Sequence, residues 1–351
     1  MQIESRTPEL SARMRLLTIS KMVGLLALVG ILASGSVHAQ YTYHLIEYPG
    51  ADSTQLFGFN NSDQVVGSAA IPGEDGTAIL YDIPSGEFST IPGLSAAFGI
   101  SNSGLLSGNV DDECAMVDKK GTITMLAPLP PEPDSFCNAR GINSSGMVSG
   151  FDARPSGWTG FVYDSKNDQY TTFLQTASGA LSTIAHGIDE RGRIIGHTTF
   201  GLPDEVYPGS PAGNYGFVRK ADGSLTFFRV DGEWTRGRDI SENGQMTGWL
   251  IDFSSGFFAS LVAWVADMPA AGGYTDIPLA DAQILEPGPC NPDFVPPWPD
   301  YVSFTDVTPE AIRNDGVVVG ICNEWFVQID VNGNPINFER GPSVGFIAIP
   351  E

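Results

Sequence analysis

Two histidines bracket one short stretch of the chain: His186 immediately precedes Gly187, and His197 immediately follows Gly196. Imidazoles titrate near neutrality and ligate metals, so a pair brought together could relay a proton or hold a cation, although packing or hydrogen bonding is their commoner fate. Gly341-Pro-Ser-Val-Gly345 has the G-x-S-x-G form of a nucleophile elbow. That motif needs a strand, a strained turn and a following helix, with Asp and His later in the chain. Only Phe346 to Glu351 follow, without a His, so the stretch is read as a turn. Asp330-Val-Asn332-Gly333-Asn334 alternates oxygen-bearing side chains as calcium loops do, but its Gly comes too early and no bidentate Glu closes it. An Asn-Gly hairpin is expected there. Asp75 and Asp111-Asp-Glu113 are further acidic loop residues. No cofactor is expected, and calcium is the one metal left open. Five aromatic residues, Trp158, Trp234, Trp298, Tyr301 and Trp325, fall in or beside expected loops. Flat rings there would stack on a sugar or an extended peptide, and the competing reading packs them between structural units. They are the candidate binding residues, and no catalytic residue is assigned.

What positions these residues is a repeated phrase, clearest in Gly141-Ile-Asn-Ser-Ser-Gly146-Met-Val-Ser-Gly150. Six copies run Phe59 to Gly67, Ile100 to Gly108, Ile142 to Gly150, Ile188 to Gly196, Ile240 to Gly248 and Ile312 to Gly320. An apolar residue, a turn former, Gly or Asp, then a short apolar run describe two strands joined by a tight turn. The closing glycines Gly67, Gly108, Gly150, Gly196, Gly248 and Gly320 are assigned to the turn framework. Each phrase is followed by two more strand-like runs, as in Gly160-Phe-Val-Tyr163 and Tyr170-Thr-Thr-Phe173. Successive closing glycines are 41, 42, 46, 52 and 72 residues apart, near the length of a four-stranded propeller blade and longer than most solenoid coils.

The expected fold is therefore all-β: a six-bladed β-propeller-like ring of four-stranded repeats. The repeats run about 54–93, 95–128, 138–175, 184–230, 236–279 and 308–351, the last joined by 41–48, with a Pro-rich loop insertion over 281–306. Tyr41 to Tyr48 and Val344 to Ile349 would pair and close the ring, which removes an exposed edge. The competing assignment gives the last unit Trp325 to Asp330 and Ile336 to Glu339 instead. In the fifth repeat, Leu261 to Trp264 and Tyr274 to Ile277 are its expected third and fourth strands.

Residues 1–39 have the layout of a cleaved signal peptide: Arg13, Arg15 and Lys21, an apolar run from Val23 to Ala33, and Val37-His38-Ala39 before the cut. Eleven apolar residues are too few to span a bilayer. The expected mature chain, 40–351, is a single secreted domain, extracellular or periplasmic, without a membrane span. Its formal charge falls from −23 to −25, because the leader removes four basic and two acidic residues. Such a field repels nucleic acid and anionic lipid. Cys114, Cys137, Cys290 and Cys322 are an even set in an exported chain, which permits two disulfides with the connectivity open.

The six phrases, above all Gly141 to Gly150 followed by Gly160-Phe-Val-Tyr163, resemble the HAF family of extracellular repeats. The resemblance implies export and a β-repeat fold and carries no catalytic residue with it. Asp63, Asp239 and Ala311 depart from the pattern where other copies have Gly. The resulting expectation is a monomeric, non-enzymatic exported propeller whose loops bind a protein, glycan or cell-surface component. A propeller enzyme acting on extracellular polysaccharide, and a structural surface component, are the alternatives.

Overall fold

The computed structural model describes residues 41–126, 135–155, 157–173, 180–206, 208–252, 260–269, 272–285, 301–329 and 335–351, with the backbone alone at 260, 301–304, 326, 327, 329 and 335–339. The chain divides into Met1–Val37, which lies outside the described residues, and His38–Glu351. The second unit is an all-β propeller. After β1 (Tyr41–Ile46), the chain forms one meander from β2 (Ser53–Phe59), β3 (Gln64–Ala70), β4 (Thr77–Asp82) and β5 (Glu87–Thr90), and another from β6 (Ala96–Ile100), β7 (Leu106–Val110), β8 (Glu113–Val117) and β9 (Ile123–Met125). Next come β10 (Phe136–Ile142), β11 (Met147–Arg154), β12 (Gly157–Asp164) and β13 (Gln169–Phe173), then β14 (Ala180–Ile188), β15 (Ile194–Phe200), β16 (Gly213–Arg219) and β17 (Leu225–Val230). The last part holds β18 (Trp234–Ile240), β19 (Gln245–Asp252), β20 (Ser260–Asp267), β21 (Gly273–Ile277), β22 (Gln283–Leu285), β23 (Tyr301–Ile312), β24 (Val318–Ile329) and β25 (Pro335–Pro350).

Six separate four-stranded units are not what forms. Four sheets are separate and four-stranded, and the third and fourth repeats share one nine-stranded sheet. One parallel residue pair, Trp158 with Ser182, joins the two meanders. The ninth strand is β21, and it corrects the reading of the fifth repeat. Tyr274 to Ile277 leaves its own unit and runs parallel to β17, while Gln283–Leu285 takes the fourth place beside β20. The physical reason is the bare edge of β17, whose peptide groups need partners. Asp231 N–H also donates to Ile277 O at 2.9 Å, and the Tyr274 ring meets Tyr215 at 5.9 Å. The 281–306 insertion is thus not a loop throughout: strands β22 and β23 occupy its two ends, and residues 286–300 lie outside the described ones.

Each repeated phrase is a hairpin between the first and second strands of a meander. The Asn60 side-chain oxygen accepts from Ser62 and Gln64 N–H at 3.0 and 3.1 Å, and Asn143 accepts from Ser145 and Met147 at 3.1 Å each. The fourth turn residue takes positive φ in every copy: Asp63, Gly104, Gly146, Gly192, Gly244 and Gly316, at 58° to 94°. Those are the turn residues. The closing glycines Gly67, Gly108, Gly150, Gly196, Gly248 and Gly320 are not; they lie inside the second strands. A Cβ at each would fall 1.9–2.2 Å from a carbonyl oxygen of the first strand, those of Gln55, Ala96, Asn138, Ile184, Arg236 and Thr308.

The cause of that close approach is a β-bulge. Opposite every closing glycine the pairing register slips by one residue, between Leu56 and Gly58, Ala97 and Gly99, Ala139 and Gly141, Ala185 and Ile188, Gly237 and Asp239, and Pro309 and Ala311. The extra residue breaks the in-out alternation of the first strand. Leu56, Phe57 and Gly58 are buried in succession, Leu56 toward the apolar core and Phe57 on the other side.

Apolar clusters form between successive meanders. Val66 and Ala78 pack with Ala97 and Ala115; Cys114 with Val148 and Phe161; Val162 with Ile194 and Phe217; Val218 and Phe228 with Met246 and Trp264; Ala263 and Leu285 with Val318 and Phe346. Leu56, Val65 and Ile79 then pack with Val319 and Ile347, which brings the last sheet onto the first. Strand β1 pairs antiparallel with β25, from Tyr41 beside Pro350 to Ile46 beside Gly345. The expected pairing of the two termini is therefore present. The rival segments are also used, since Trp325–Ile329 and Pro335–Glu339 prolong the hairpin of β24 and β25 outward. Gly341-Pro-Ser-Val-Gly345 is extended strand within β25 and not a turn. Cys114 and Cys137 form a disulfide across a Cα separation of 5.2 Å, and Cys322 is also disulfide-bonded; Cys290 lies outside the described residues.

A Gly150→Ala substitution should cost about 3 kcal/mol, as overpacking against fixed backbone does, because its methyl group would meet Asn138 O at 2.2 Å and the Phe161 ring at 2.6 Å. Gly272→Ala, whose methyl group has no neighbour nearer than 3.9 Å, should leave the midpoint of urea unfolding within error of the parent.

Candidate functional site

The six bulged residues, Phe57, Phe98, Arg140, His186, Arg238 and Glu310, all line one cavity, one from each phrase-bearing meander. Its free volume is about 90 Å³ for the centres of water-sized molecules, room for several waters or a small ligand group. Behind them stand the small residues Gly58, Gly99, Gly141, Gly187, Asp239 and Ala311. These are small because neighbouring first strands touch here. A Cβ on Gly58, Gly99 or Gly141 would lie 2.8 Å from the carbonyl of the next bulged residue, Phe98, Arg140 or His186. Asp239 is the exception that its neighbour permits: a Cβ on Gly187 would lie 2.0 Å from the Asp239 carboxylate, which occupies that space. The carboxylate accepts Ile312 N–H at 2.9 Å and so ties β18 to β23.

Residues just after the closing glycines form a second layer. His197 stacks on His186 with ring centroids 5.3 Å apart and 20° between planes. Arg140 has its guanidinium 4.4 Å from the Phe98 centroid and 5.9 Å from those of Phe57 and Phe151. Arg236 and Arg238 lie 4.6 and 5.7 Å from the Trp249 centroid. Arg238 Nη1 is 3.3 Å from His186 Nδ1, 3.4 Å from its Nε2 and 3.4 Å from Glu310 Oε2. Three arginines and two histidines thus share one small region.

Burial, and then the neighbouring charges, explain the protonation states. Burial first, then Arg238, Arg140, His197 and Arg236, holds His186 well below its usual pKa; burial, Arg236, Arg238 and Arg140 do the same to His197. Both rings are neutral at pH 7. Burial also lowers Arg140 to about 10, with Glu310 opposing and Arg238 reinforcing the shift, and lowers Arg236 to about 10. Both remain cationic at neutral pH. Asp239 is raised to about 7, chiefly by burial, with the Ile312 and Ile240 amides pulling the other way.

Above the cavity the hairpin turns are bonded one to the next. Asn60 Nδ2 donates to Ser101 O, Ser103 N–H to Ser144 Oγ, Asn143 Nδ2 to Asp189 O, Arg193 Nη2 to Ser241 O, and Asn243 N–H to Asn314 Oδ1. Arg313 pairs with Asp63 and completes the circuit. The turn polar residues therefore close the hairpins and also link neighbours.

Trp158, Trp234 and Trp325, expected in or beside loops, lie in strands. Trp158 lies in β12, 41% exposed, stacked on Phe151 at 5.3 Å beside Phe136 at 6.4 Å. Trp234 opens β18 and is 39% exposed, and Trp325 lies within β24 with Nε1 donating to Asp306 at 2.7 Å. Tyr301 begins β23, and Trp298 lies outside the described residues, as does the Asp330–Asn334 stretch. Among the described residues no group of three His, Cys, Asp or Glu side chains is placed to hold a metal, and no helix is long and apolar enough to cross a membrane. The expected approach of His186 and His197 is present. Arg140, Arg238 and Glu310 escaped the sequence reading. Their signal was the variable residue directly before the small residue that opens each phrase.

Two opposite pH effects follow. The neutral histidines stabilise the fold fully above their unfolded value of 6.5, and this contribution is lost as pH falls, since the unfolded chain binds protons that His186 and His197 do not. Asp239 behaves inversely: its protonated form stabilises the fold fully below 3.8, and the contribution is lost as pH rises toward 7. Asp239→Asn should therefore gain on the parent between pH 4 and pH 8, by about 2 kcal/mol after allowing for solvent screening at the cavity wall. Urea unfolding of both proteins at the two pH values measures the difference; a pH-independent difference contradicts the assignment.

A scan of family models finds no match to this sequence, and a search of curated proteins finds none. Solved structures of similar fold include virginiamycin B lyase from Staphylococcus aureus, 10% identical over 88% of this chain and 100% of that one with a TM-score of 0.44. A TolB protein from Agrobacterium tumefaciens is 12% identical over 78% and 98% with a TM-score of 0.46. A gluconolactonase from Xanthomonas campestris is 12% identical over 78% and 90% with a TM-score of 0.39.

Proposed function

We propose that this chain is an exported binding protein of the HAF-repeat type, monomeric, with its ligand site in the cavity at the ring axis and not on the loop aromatics. The observation that carries this reading is the convergence of Phe57, Phe98, Arg140, His186, Arg238 and Glu310 on one cavity. Each is delivered by a bulge that costs the strand its regular pairing, and bulges re-aim side chains at sites. In this reading the ring has six blades, the nine-stranded sheet counting as two. The apolar clusters between successive meanders and the circuit of turn-to-turn bonds support that count. Export is supported by the signal-like leader and the Cys114–Cys137 disulfide. The ligand is a compact group, free or at the end of a glycan or peptide, because the cavity is too small for a chain to pass folded.

Catalysis on extracellular polysaccharide is the second reading, and Asp239 favours it. A carboxyl raised to about 7 at a cavity wall has the protonation range of a general acid or base.

Glycan and peptide arrays probed with the 40–351 chain, the Phe57→Ala variant and the Trp158→Ala variant test the axial site. Binding should fall at least tenfold in Phe57→Ala and persist in Trp158→Ala. The reverse pattern would return the site to the exposed aromatics, and chain-length reduction of a bound glycan would favour the enzyme.

A further inference from the structure

We infer that the axial cavity recognises a carboxylate, held by Arg140 and Arg238 against the Phe57 and Phe98 rings; this rests on the axial-site reading above. The first observation is one of charge placement. The expected mature chain carries 39 acidic and only 14 basic residues, yet Arg140, Arg236 and Arg238 lie within electrostatic reach of one another and of His186 and His197. The one acid that faces the two cavity arginines from another bulge is Glu310, in contact with Arg238. Both histidines are neutral there, and of the acids at this level Asp239 is raised to about 7 and bonded to Ile312 N–H. Arg140, Arg236 and Arg238 therefore outnumber Glu310 and Asp239, and the floor keeps a positive excess. A buried cation without a full counter-charge is expensive, and a bound anion would offset that cost.

The second observation is one of unused donors. Arg140 makes no side-chain hydrogen bond among the described residues and rests on aromatic faces alone, and its Nε is buried without a partner. Arg238 Nε is likewise buried and unpartnered, as is Nδ1 of His197, a side chain 3% exposed. Guanidinium groups present a planar fork that matches a carboxylate. By contrast Arg193 and Arg313, outside the cavity floor, are consumed by Asp189 and by Asp63 and Asp315.

Shape and field limit the ligand further. The cavity admits a carboxylate and a few attached atoms, and the Phe57 and Phe98 rings, 4.9 Å apart, offer those atoms an apolar wall. Glu190 and Glu242 stand at the mouth, on a strongly acidic chain. A polyanion would be repelled before reaching the arginines, so the ligand carries a single acid group. A uronic acid and a small aromatic or aliphatic acid share that chemistry.

Isothermal titration of the 40–351 chain at pH 7 and low salt distinguishes them, using paired probes: glucuronate with methyl glucoside, and benzoate with benzyl alcohol. The acid of at least one pair should bind and its neutral partner should not. Arg140→Gln should weaken that binding at least tenfold with unchanged circular dichroism, and Arg140→Lys should restore it only in part. Arg219→Gln, at the distant Phe173 ring, should have no effect. Equal binding of acid and neutral probes, with both weakened by Phe57→Ala, would overturn the carboxylate and keep the axial site. Failure of every probe to bind at 10 mM would also overturn the carboxylate. Array binding that survives Phe57→Ala would overturn the axial site as well.

Discussion

The contact between each closing glycine and the bulge opposite it is the constraint on which the rest depends. Gly67, Gly108, Gly150, Gly196, Gly248 and Gly320 allow a carbonyl of the first strand to come closer than any Cβ would permit. That approach stabilises a one-residue slip in register, and the slip turns one side chain per first strand out of the core and toward the axis. Regular alternation would have sent Phe57, Arg140 or Glu310 elsewhere. The glycine has no chemistry of its own. It fixes the geometry through which six unlike side chains meet.

Once the first strands approach this closely, the small residues beside the bulges follow from space alone, and so does the single exception. Asp239 fits only because Gly187 leaves room for its carboxylate, and its bond to the Ile312 amide replaces part of what packing supplies elsewhere. The turn-to-turn bonds above and the pairing of β1 with β25 hold the same ring together at its rim and its seam. Local repeats thus make a closed scaffold, and variation is confined to positions that the scaffold does not need. The cationic floor of the cavity in an acidic chain is such a variation.

Much of this was legible in the sequence, and the exceptions have physical causes. The hairpins could be read from Asn60, Asn143 and Asp189 followed by Gly or Asp, because turn chemistry is local. Pairing of the termini could be read from Val344 to Ile349, which resembles a third strand. The role of the closing glycines could not, since they sit beside apolar residues like any strand glycine and their partner is a carbonyl a dozen residues earlier. Without the bulge, the residue before each phrase looked like another strand position, so Arg140, Arg238 and Glu310 passed unremarked while exposed aromatics such as Trp158 drew notice. The departure of β21 to the edge of β17 was equally hidden: Tyr274 to Ile277 has strand composition, and only the neighbouring bare edge decides which sheet it joins.

A crystal structure of the 40–351 chain at a resolution that shows side-chain rotamers is the most direct test of the bulge-directed axis. The account predicts Phe57, Phe98, Arg140, His186, Arg238 and Glu310 all facing one axial cavity, each opposite its closing glycine across a one-residue register slip. Regular pairing at those glycines, with the six side chains alternating between core and solvent, would contradict it.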